Sequence, residues 1–339
     1  MVAIIIVLYN SKRFLKDLLL SIQNSTYKNY KLIFIDNNST DDSAEFLTKN
    51  YPWVILIKNK KNYGFPKAAN QGIEKALKLK AEYIFLLNPD TILHKNCLSE
   101  LIKAADPNTI FQPLILLFNK KKTNLINSAG NVLHYLGFAY RGDFKKPASL
   151  FQKKKEIPVA SGAAIFLPAK IIKRIGYLNE TFFLYHEETD FSLRARLAGY
   201  KIKLLPTAKI WHHYSFSATN RNIFFIERNR FLVLFINLQP KTILLIAPML
   251  CINEILSILL FPFLGYPFIK LKVIFSIIKL IPEISRKRKL VNIIRKKKDS
   301  EIKQFFSTEI DFPNFPLPFL KTLYQSLLSI YWRMIYKLI

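Results

Sequence analysis

Four segments of this chain carry side chains whose types and spacing suit chemistry. The first, Ile33-Phe34-Ile35-Asp36-Asn37-Asn38-Ser39-Thr40-Asp41, is an apolar run that closes on an acid and continues into a turn-forming, helix-capping stretch. Thr40 or Asp41 can cap the helix that follows. Asp36 sits too early for that, and a carboxylate at a strand end can accept the imide N–H of a uracil or thymine ring, selecting a base with one hydrogen bond. The second segment runs Asn62-Tyr63-Gly64-Phe65-Pro66-Lys67-Ala68-Ala69-Asn70-Gln71-Gly72. Its glycine permits close backbone approach at a turn that opens a helix, and Lys67 at the helix start favours negative charge. Such turns are common in α/β proteins.

The third segment is Leu86-Leu87-Asn88-Pro89-Asp90. A hard divalent cation such as Mg²⁺ or Mn²⁺ takes oxygen ligands, with one or two protein carboxylates and the remainder from water and substrate phosphates. Asp90, beside a backbone fixed by Pro89, suits that role and equally suits an ordinary turn aspartate. The fourth is His186-Glu187-Glu188-Thr189-Asp190-Phe191-Ser192-Leu193-Arg194-Ala195-Arg196, followed by Gly199-Tyr200 and Trp211-His212-His213. Acids at a helix start complement its dipole, yet Glu187, Glu188 and Asp190 together exceed that need. One of them can be a general base beside a substrate hydroxyl, and His212 can complete a metal shell or simply pack.

These residues need elements to hold them. Before residue 220, apolar β-rich runs at 2–9, 31–36, 54–58 and 83–87 alternate with helical patterns at 14–22, 44–51, 68–79 and 98–105, which is the pattern of βαβ units and a parallel sheet. Ligands of such sheets bind beyond the carboxyl ends of the strands. Here those ends are Tyr9-Asn10, Asp36-Asn37-Asn38, Asn62-Tyr63-Gly64 and Asn88-Pro89-Asp90.

From Ile223 the pattern changes to long apolar segments with basic punctuation, giving two expected domains, 1–220 and 221–339. Between Lys241 and Lys270 the only formal charge is Glu254. Residues 242–269 are long enough to cross a bilayer of about 30 Å, while Asn253, Glu254, Pro248, Pro262 and Pro267 favour a broken or interfacial helical hairpin. Lys272 and Lys279 follow on an apolar helix, then the clusters Arg286-Lys287-Arg288-Lys289 and Arg295-Lys296-Lys297-Lys298. Each basic residue near acidic lipid head groups contributes about 1 kcal/mol of attraction. Either cluster alone would also fit a solvated face. An aromatic tail, 315–339, repeats the theme, and no internal repeat is evident.

The composition narrows the choices. The chain has 339 residues, a net charge of +28, 50% hydrophobic and 14% aromatic residues, which excludes intrinsic disorder. Its two cysteines, Cys97 and Cys251, lie far apart without metal-type spacing and read as buried thiols in a reducing compartment. The run 2–9 lacks a basic stretch before it and a small-residue cleavage site after it, so it reads as a strand and not a secretory signal. Basicity with this much apolar content fits an anionic membrane surface better than nucleic acid, for which no helix-turn-helix, zinc-finger or RNA-binding signature is present. Tyr9-Asn10-Ser11-Lys12-Arg13 has no glycine, against the activating loop of a nucleotidyltransferase.

Taken in order, the segments resemble glycosyltransferase family 2, and within it the rhamnosyltransferase-like branch. The resemblance rests on Val7-Leu8-Tyr9-Asn10, Ile35-Asp36 to Asp41, Asn62-Tyr63-Gly64-Phe65 to Asn70-Gln71-Gly72, Asn88-Pro89-Asp90, the Glu187 to Gly199-Tyr200 block and Trp211-His212. It covers about the first two-thirds of the chain. It implies a GT-A type, Rossmann-like α/β domain with a mainly parallel sheet that binds a nucleotide-sugar, followed here by an α-helical membrane-associating region. By the same resemblance Tyr9 stacks on the base and Asp36 binds its imide edge, with Asn38, Gly64, Lys67, Asn70 and Asn88 also in the nucleotide site. Asp90 and His212 would hold Mg²⁺ or Mn²⁺, and Asp190 and Arg194 would meet the donor or acceptor sugar. Glu188 takes the base position, with Glu187 a competitor. Three residues depart from the family pattern: Asn88 replaces the first acid of the metal motif, Glu188 replaces an aspartate, and Leu8 replaces a threonine.

The implied activity is inverting transfer of a sugar, rhamnose among the candidates, from a UDP- or dTDP-sugar to a lipid-linked or cell-envelope saccharide. The enzyme would sit on the cytoplasmic side of the cell membrane, peripheral or shallowly inserted. A catalytically impaired scaffold and a basic nucleic-acid-binding protein are the alternatives.

Overall fold

The computed structural model describes residues 1–215, 218–310 and 318–339; the start of the expected aromatic tail, 315–317, lies outside them. In chain order the elements are β1 (Val2–Leu8), α1 (Lys12–Gln23), β2 (Tyr30–Asp36), α2 (Ser43–Asn50), β3 (Ile55–Lys58), α3 (Phe65–Lys78), β4 (Tyr83–Leu87), β5 (Thr91–Leu93) and α4 (Cys97–Ala104). Next come β6 (Thr109–Asn119), β7 (Lys121–Ser128), β8 (Asn131–His134), β9 (Ala139–Arg141), β10 (Lys155–Glu156), β11 (Ala164–Pro168), α5 (Ala169–Ile175), α6 (Glu187–Leu197) and β12 (Lys201–His212). The helical remainder is α7 (Asn220–Asn237), α8 (Pro240–Leu260), α9 (Ile269–Ile294), α10 (Asp299–Ile302), the short β13 (Phe306–Ser307) and α11 (Pro318–Tyr336).

The chain forms two compact units. The first is Met1–Asn131, Arg141–Ala195 and Tyr200–Phe216, and the second is Val132–Tyr140, Arg196–Gly199 and Ser217–Ile339. A single break at residue 220 therefore misses two short excursions into the second unit. Both have local causes. Tyr135 stacks on Trp332 at 4.7 Å and His134 Nε2 lies 3.2 Å from the Thr308 carbonyl, while the Leu197 carbonyl accepts the N–H groups of Lys296 and Lys297.

The first unit is built on a sheet ordered β10-β12-β6-β11-β4-β1-β2-β3, with β5 added to β12 and β7 to β6. β3, β2, β1 and β4 run parallel. β11 is antiparallel to both β4 and β6, and β12 is parallel to β6, so six strands point their carboxyl ends to one edge. β1 is buried at every position, as a strand covered on both faces must be. Val2, Ile4, Ile6 and Leu8 join Leu15, Leu18, Leu19 and Ile22 of α1 in one core, whereas Ile5 on the other face meets α3.

Two local details shift boundaries. α3 starts at Phe65, three residues ahead of the pattern, because Gly64 takes φ +84° and Pro66 occupies the first turn, where a missing N–H costs nothing. Gly72 then lets α3 lie against the sheet: a Cβ there would come within 2.4 Å of Ile5 and 2.7 Å of Ile35.

In the second unit α8 runs unbroken through Pro248, and residues 261–268 turn the chain into α9. α8 is long and apolar enough to cross a membrane by length and composition, yet only 22% of its most apolar window is buried. Cys97 is buried as expected, but Cys251 is exposed, since it lies on the open side of α8 beside exposed Ile252 and Ile255. Gly72→Val is expected to lower stability by about 1–3 kcal/mol through overpacking, measured as a shift in the urea unfolding midpoint of the full chain.

Candidate active site

The shared strand edge gathers residues far apart in the chain. Leu8 pairs with Asp36 and Asp36 with Lys58, so the Tyr9 and Asp36 segments emerge side by side. Polar groups knit them: Asn10 Oδ1 accepts the Thr40 N–H at 2.8 Å, and the Asn10 N–H donates to Ser39 Oγ at 3.1 Å. Asp36 is nearly buried and accepts the Ser39 N–H at 3.1 Å. Asn38 follows with φ +68°, and Tyr9 is 48% exposed. Asp41 ties two helix starts by accepting the N–H groups of Lys12 and Ser43.

Asn37 locks this edge to the next turn. Its amide donates to Asn62 Oδ1 at 2.9 Å and to the Gly64 carbonyl at 3.3 Å, while its own oxygen accepts from Tyr63 N–H and Asn59. Gly64 is required by the approach of Phe183, whose carbonyl would lie 2.6 Å from a Cβ at that site.

Other expected ligand residues are engaged within the fold. Asn70 is buried and spends its amide on both backbone groups of Leu178 and on Glu180. Lys67 is 3.7 Å from the same Glu180 and 5.2 Å over the Tyr63 ring, so its charge is answered within the fold. Asp190 is fully buried against Arg194 at 2.8 Å, and Arg194 also donates from Nη1 to the carbonyl of Ile175 and from Nη2 to that of Tyr177. That clamp joins α6 to the end of α5.

Asp90 and His212 do meet. β12 pairs with β5 so that His212 lies opposite Thr91, and His212 Nε2 is 3.1 Å from Asp90 Oδ1 across 122 positions of sequence. The other ring nitrogen, Nδ1, faces Asn127 Oδ1 at 3.2 Å. With no cation between them, His212 Nε2–H donates to the Asp90 carboxylate; with a cation bound there, the ring would keep its proton on Nδ1, donate to Asn127 and offer the Nε2 lone pair to the metal, which is how a second group fixes the tautomer of a metal-binding histidine. The Asn127 amide nitrogen is buried without a hydrogen-bond partner among the described residues. Adjacent ligands on an octahedral cation at about 2.1 Å lie about 3 Å apart, and the Asp90–His212 separation fits. Among the described residues no group of three or more His, Cys, Asp or Glu side chains is placed to hold a metal ion.

Glu187 and Glu188 open α6 after a run in which Phe183, Tyr185 and His186 all take positive φ. Non-glycine residues in that region store strain, which concentrates at functional sites. The two carboxylates differ in access. Glu187 is 6% exposed with Oε2 unpartnered; burial, reinforced by the charge of Glu188, pushes its pKa well above the ordinary range. Glu188 is half-buried beside Gly162 and receives a hydrogen bond from Asn131. Burial raises its pKa too. Asn127 and Asn131 lie in a polar stretch, Asn127-Ser128-Ala129-Gly130-Asn131, that carries no pattern a sequence reading could have used.

The family model described as Glycosyl transferase family 2 matches residues 3–176, slightly more than half of the chain. The chain belongs to that family. This glycosyltransferase is 27% identical over 240 residues, 68% of its own length and 74% of the relative's, to the low-salt glycan biosynthesis hexosyltransferase Agl10 of Haloferax volcanii. It is 22% identical over 245 residues, 63% of its length and 76% of the relative's, to the N-acetylglucosaminyl-diphospho-decaprenol L-rhamnosyltransferase of Mycobacterium tuberculosis. Among solved structures, GalNAc-T7 with UDP, GalNAc and Mn²⁺ superposes with a TM-score of 0.53 at 17% identity, covering 67% of this chain and 47% of that one. The glycosyltransferase thus has the GT-A fold.

A buried acid with a raised pKa favours the native state most at low pH, and that advantage is lost as pH rises from the ordinary carboxylate range through the raised value. Glu187→Gln should therefore melt higher than wild type at pH 8 and match it at pH 4, as read by thermal unfolding across pH.

Proposed function

We propose that the enzyme transfers a sugar, rhamnose among the candidates, from a UDP- or dTDP-sugar to a lipid-linked or cell-envelope saccharide with inversion at the anomeric carbon. The observation that carries this reading is the half-buried Glu188 carboxylate, raised in pKa and packed beside Gly162, next to Ala163, whose carbonyl accepts the Asn88 N–H at 2.9 Å. Tyr9 stacks on the base, Asp36 accepts its imide N–H, and Asn38 and Asn88 line the same edge. Asp90 and His212 would hold Mg²⁺ or Mn²⁺, which when bound offsets the charge of the diphosphate leaving group.

Glu188 takes the proton from the acceptor hydroxyl as that oxygen bonds to the anomeric carbon from the face opposite the diphosphate. The anomeric C–O bond breaks in the same step and its electron pair leaves with the nucleoside diphosphate. A raised pKa makes Glu188 a stronger base near neutrality. Glu187, enclosed and favoured in its neutral form, does not compete for the hydroxyl. The lipid-linked acceptor is supported by the name of the decaprenol-specific relative. The membrane setting, on the cytoplasmic side and peripheral or shallowly inserted, is supported by the exposed apolar side chains of α8, α9 and α11, among them Ile255, Leu259, Phe275, Ile278, Phe319 and Leu323.

The test is a panel of nucleotide-sugars with Mn²⁺ or Mg²⁺, scored for nucleotide release with and without membrane extract. Glu188→Gln is expected to lose transfer by about 10²–10⁴-fold with donor affinity retained, while Glu187→Gln stays active. Full transfer by Glu188→Gln would remove it as the base, and no release in any condition would favour the scaffold.

A further inference from the structure

In the second unit, a cavity of about 620 Å³ opens between the first turn of α7 and one face of α9. Three cationic side chains line it, Arg221, Lys272 and Lys279, together with Phe224, Phe275 and Ser276. Lys272, Phe275, Ser276 and Lys279 follow the i, i+3, i+4, i+7 spacing that puts them on one side of α9. Among the described residues no acid lines the cavity.

The acids of these helices are committed elsewhere. Glu227 and Glu254 pair with Arg230 and with buried Lys270, and Glu283 pairs with Arg286 and Lys287. Lys270 and Lys272 are thus opposite cases two residues apart: the first is neutralised inside the unit, and the second, like Lys279, is exposed with no acidic partner among the described residues. A cavity lined by Lys272 and Lys279, neither of which has an acidic partner among the described residues, is a site for an anion.

The walls say more about which anion. Phe224 and Phe275 are apolar, and α9 continues outward with exposed Leu271, Ile274 and Ile278, while exposed Phe263 and Phe268 lie in the turn before it. The volume falls in the range of organic-ligand pockets, about 300–1,000 Å³, and exceeds what a bare phosphate fills. A ligand matching both halves has an anionic phosphate head and hydrocarbon chains.

We infer that this cavity holds the phosphate headgroup of an anionic phospholipid, with Lys272, Lys279 and Arg221 facing the phosphate and the acyl chains meeting the apolar side of α9. The site rests on the membrane reading given above and adds a specific lipid contact to it. General attraction of the basic clusters would treat all anionic surfaces alike, whereas this site makes binding depend on two particular lysines.

The test is co-sedimentation of the full chain with phosphatidylglycerol vesicles and with neutral phosphatidylcholine vesicles. Lys272→Glu/Lys279→Glu is compared with Lys49→Glu/Lys78→Glu, a control of equal net charge at exposed positions of the first unit. The site predicts that the first variant loses binding to phosphatidylglycerol by about tenfold or more with unchanged melting temperature, and that the control stays within twofold of wild type. Equal binding by the two variants overturns the site while leaving the membrane reading standing. Wild type that binds neither vesicle overturns both. Stabilisation of the wild type by millimolar inorganic phosphate, absent in the Lys272/Lys279 variant whose vesicle binding is intact, assigns the cavity to a free anion and also overturns the lipid.

Discussion

The active site depends on the pairing of one long strand. β12 is hydrogen-bonded to β6 along most of its length and to β5 on its other side. This pairing converts a sequence separation of 122 residues into the 3.1 Å contact between His212 and Asp90. The strand is also where a parallel sheet would otherwise end: beyond β4 the antiparallel β11 intervenes, and β6 and β12 restore the direction of β1 to β4. That reversal lets the carboxyl ends of two groups of strands share one edge. A register shift of one residue in β12 would turn His212 to the opposite face and leave Asp90 without its partner.

Around that frame the polar residues divide into those that face the opening and those that fasten it. Asn37, Asn70, Asn127 and the Asp190–Arg194 pair are buried and hydrogen-bonded, and they fasten the strand ends, turns and helix start near Asp36, Asp90, Glu188 and His212. Breaking one of these buried hydrogen bonds or the ion pair is costly, so these fastenings hold the surrounding elements in place. Rigid placement of charge is what a displacement at an anomeric centre requires of the protein.

Much of the strand-end chemistry is legible in the sequence because it is local. An apolar run closing on Asp36 or on Asn88-Pro89-Asp90 marks a strand and its carboxyl end together. Lys67, Asn70, Asp190 and Arg194 are not legible in that way. Their partners, Glu180, Leu178, Ile175 and Tyr177, are chosen by tertiary packing, and nothing in the neighbouring residues distinguishes a side chain turned to a ligand from one turned to a loop. The same holds for Glu254. Read alone it looks like a charge stranded in an apolar helix, whereas it joins Glu227, Arg230 and Lys270 in a buried four-residue network linking α7, α8 and α9. That network leaves the opposite sides of α8 and α9 to apolar residues, and with it the high charge and high hydropathy of the chain separate into distinct surfaces.

The central claim is that Asp90 and His212, brought together by β12 and oriented by Asn127, form the protein's part of a divalent cation site for the diphosphate. Titration of Mn²⁺ in the presence of UDP, followed by electron paramagnetic resonance, tests it without any acceptor. The account predicts one bound Mn²⁺ per chain, with affinity falling about 10–100-fold in Asn127→Ala and further in His212→Ala and Asp90→Ala. Mn²⁺ binding by all three variants at wild-type affinity would contradict it.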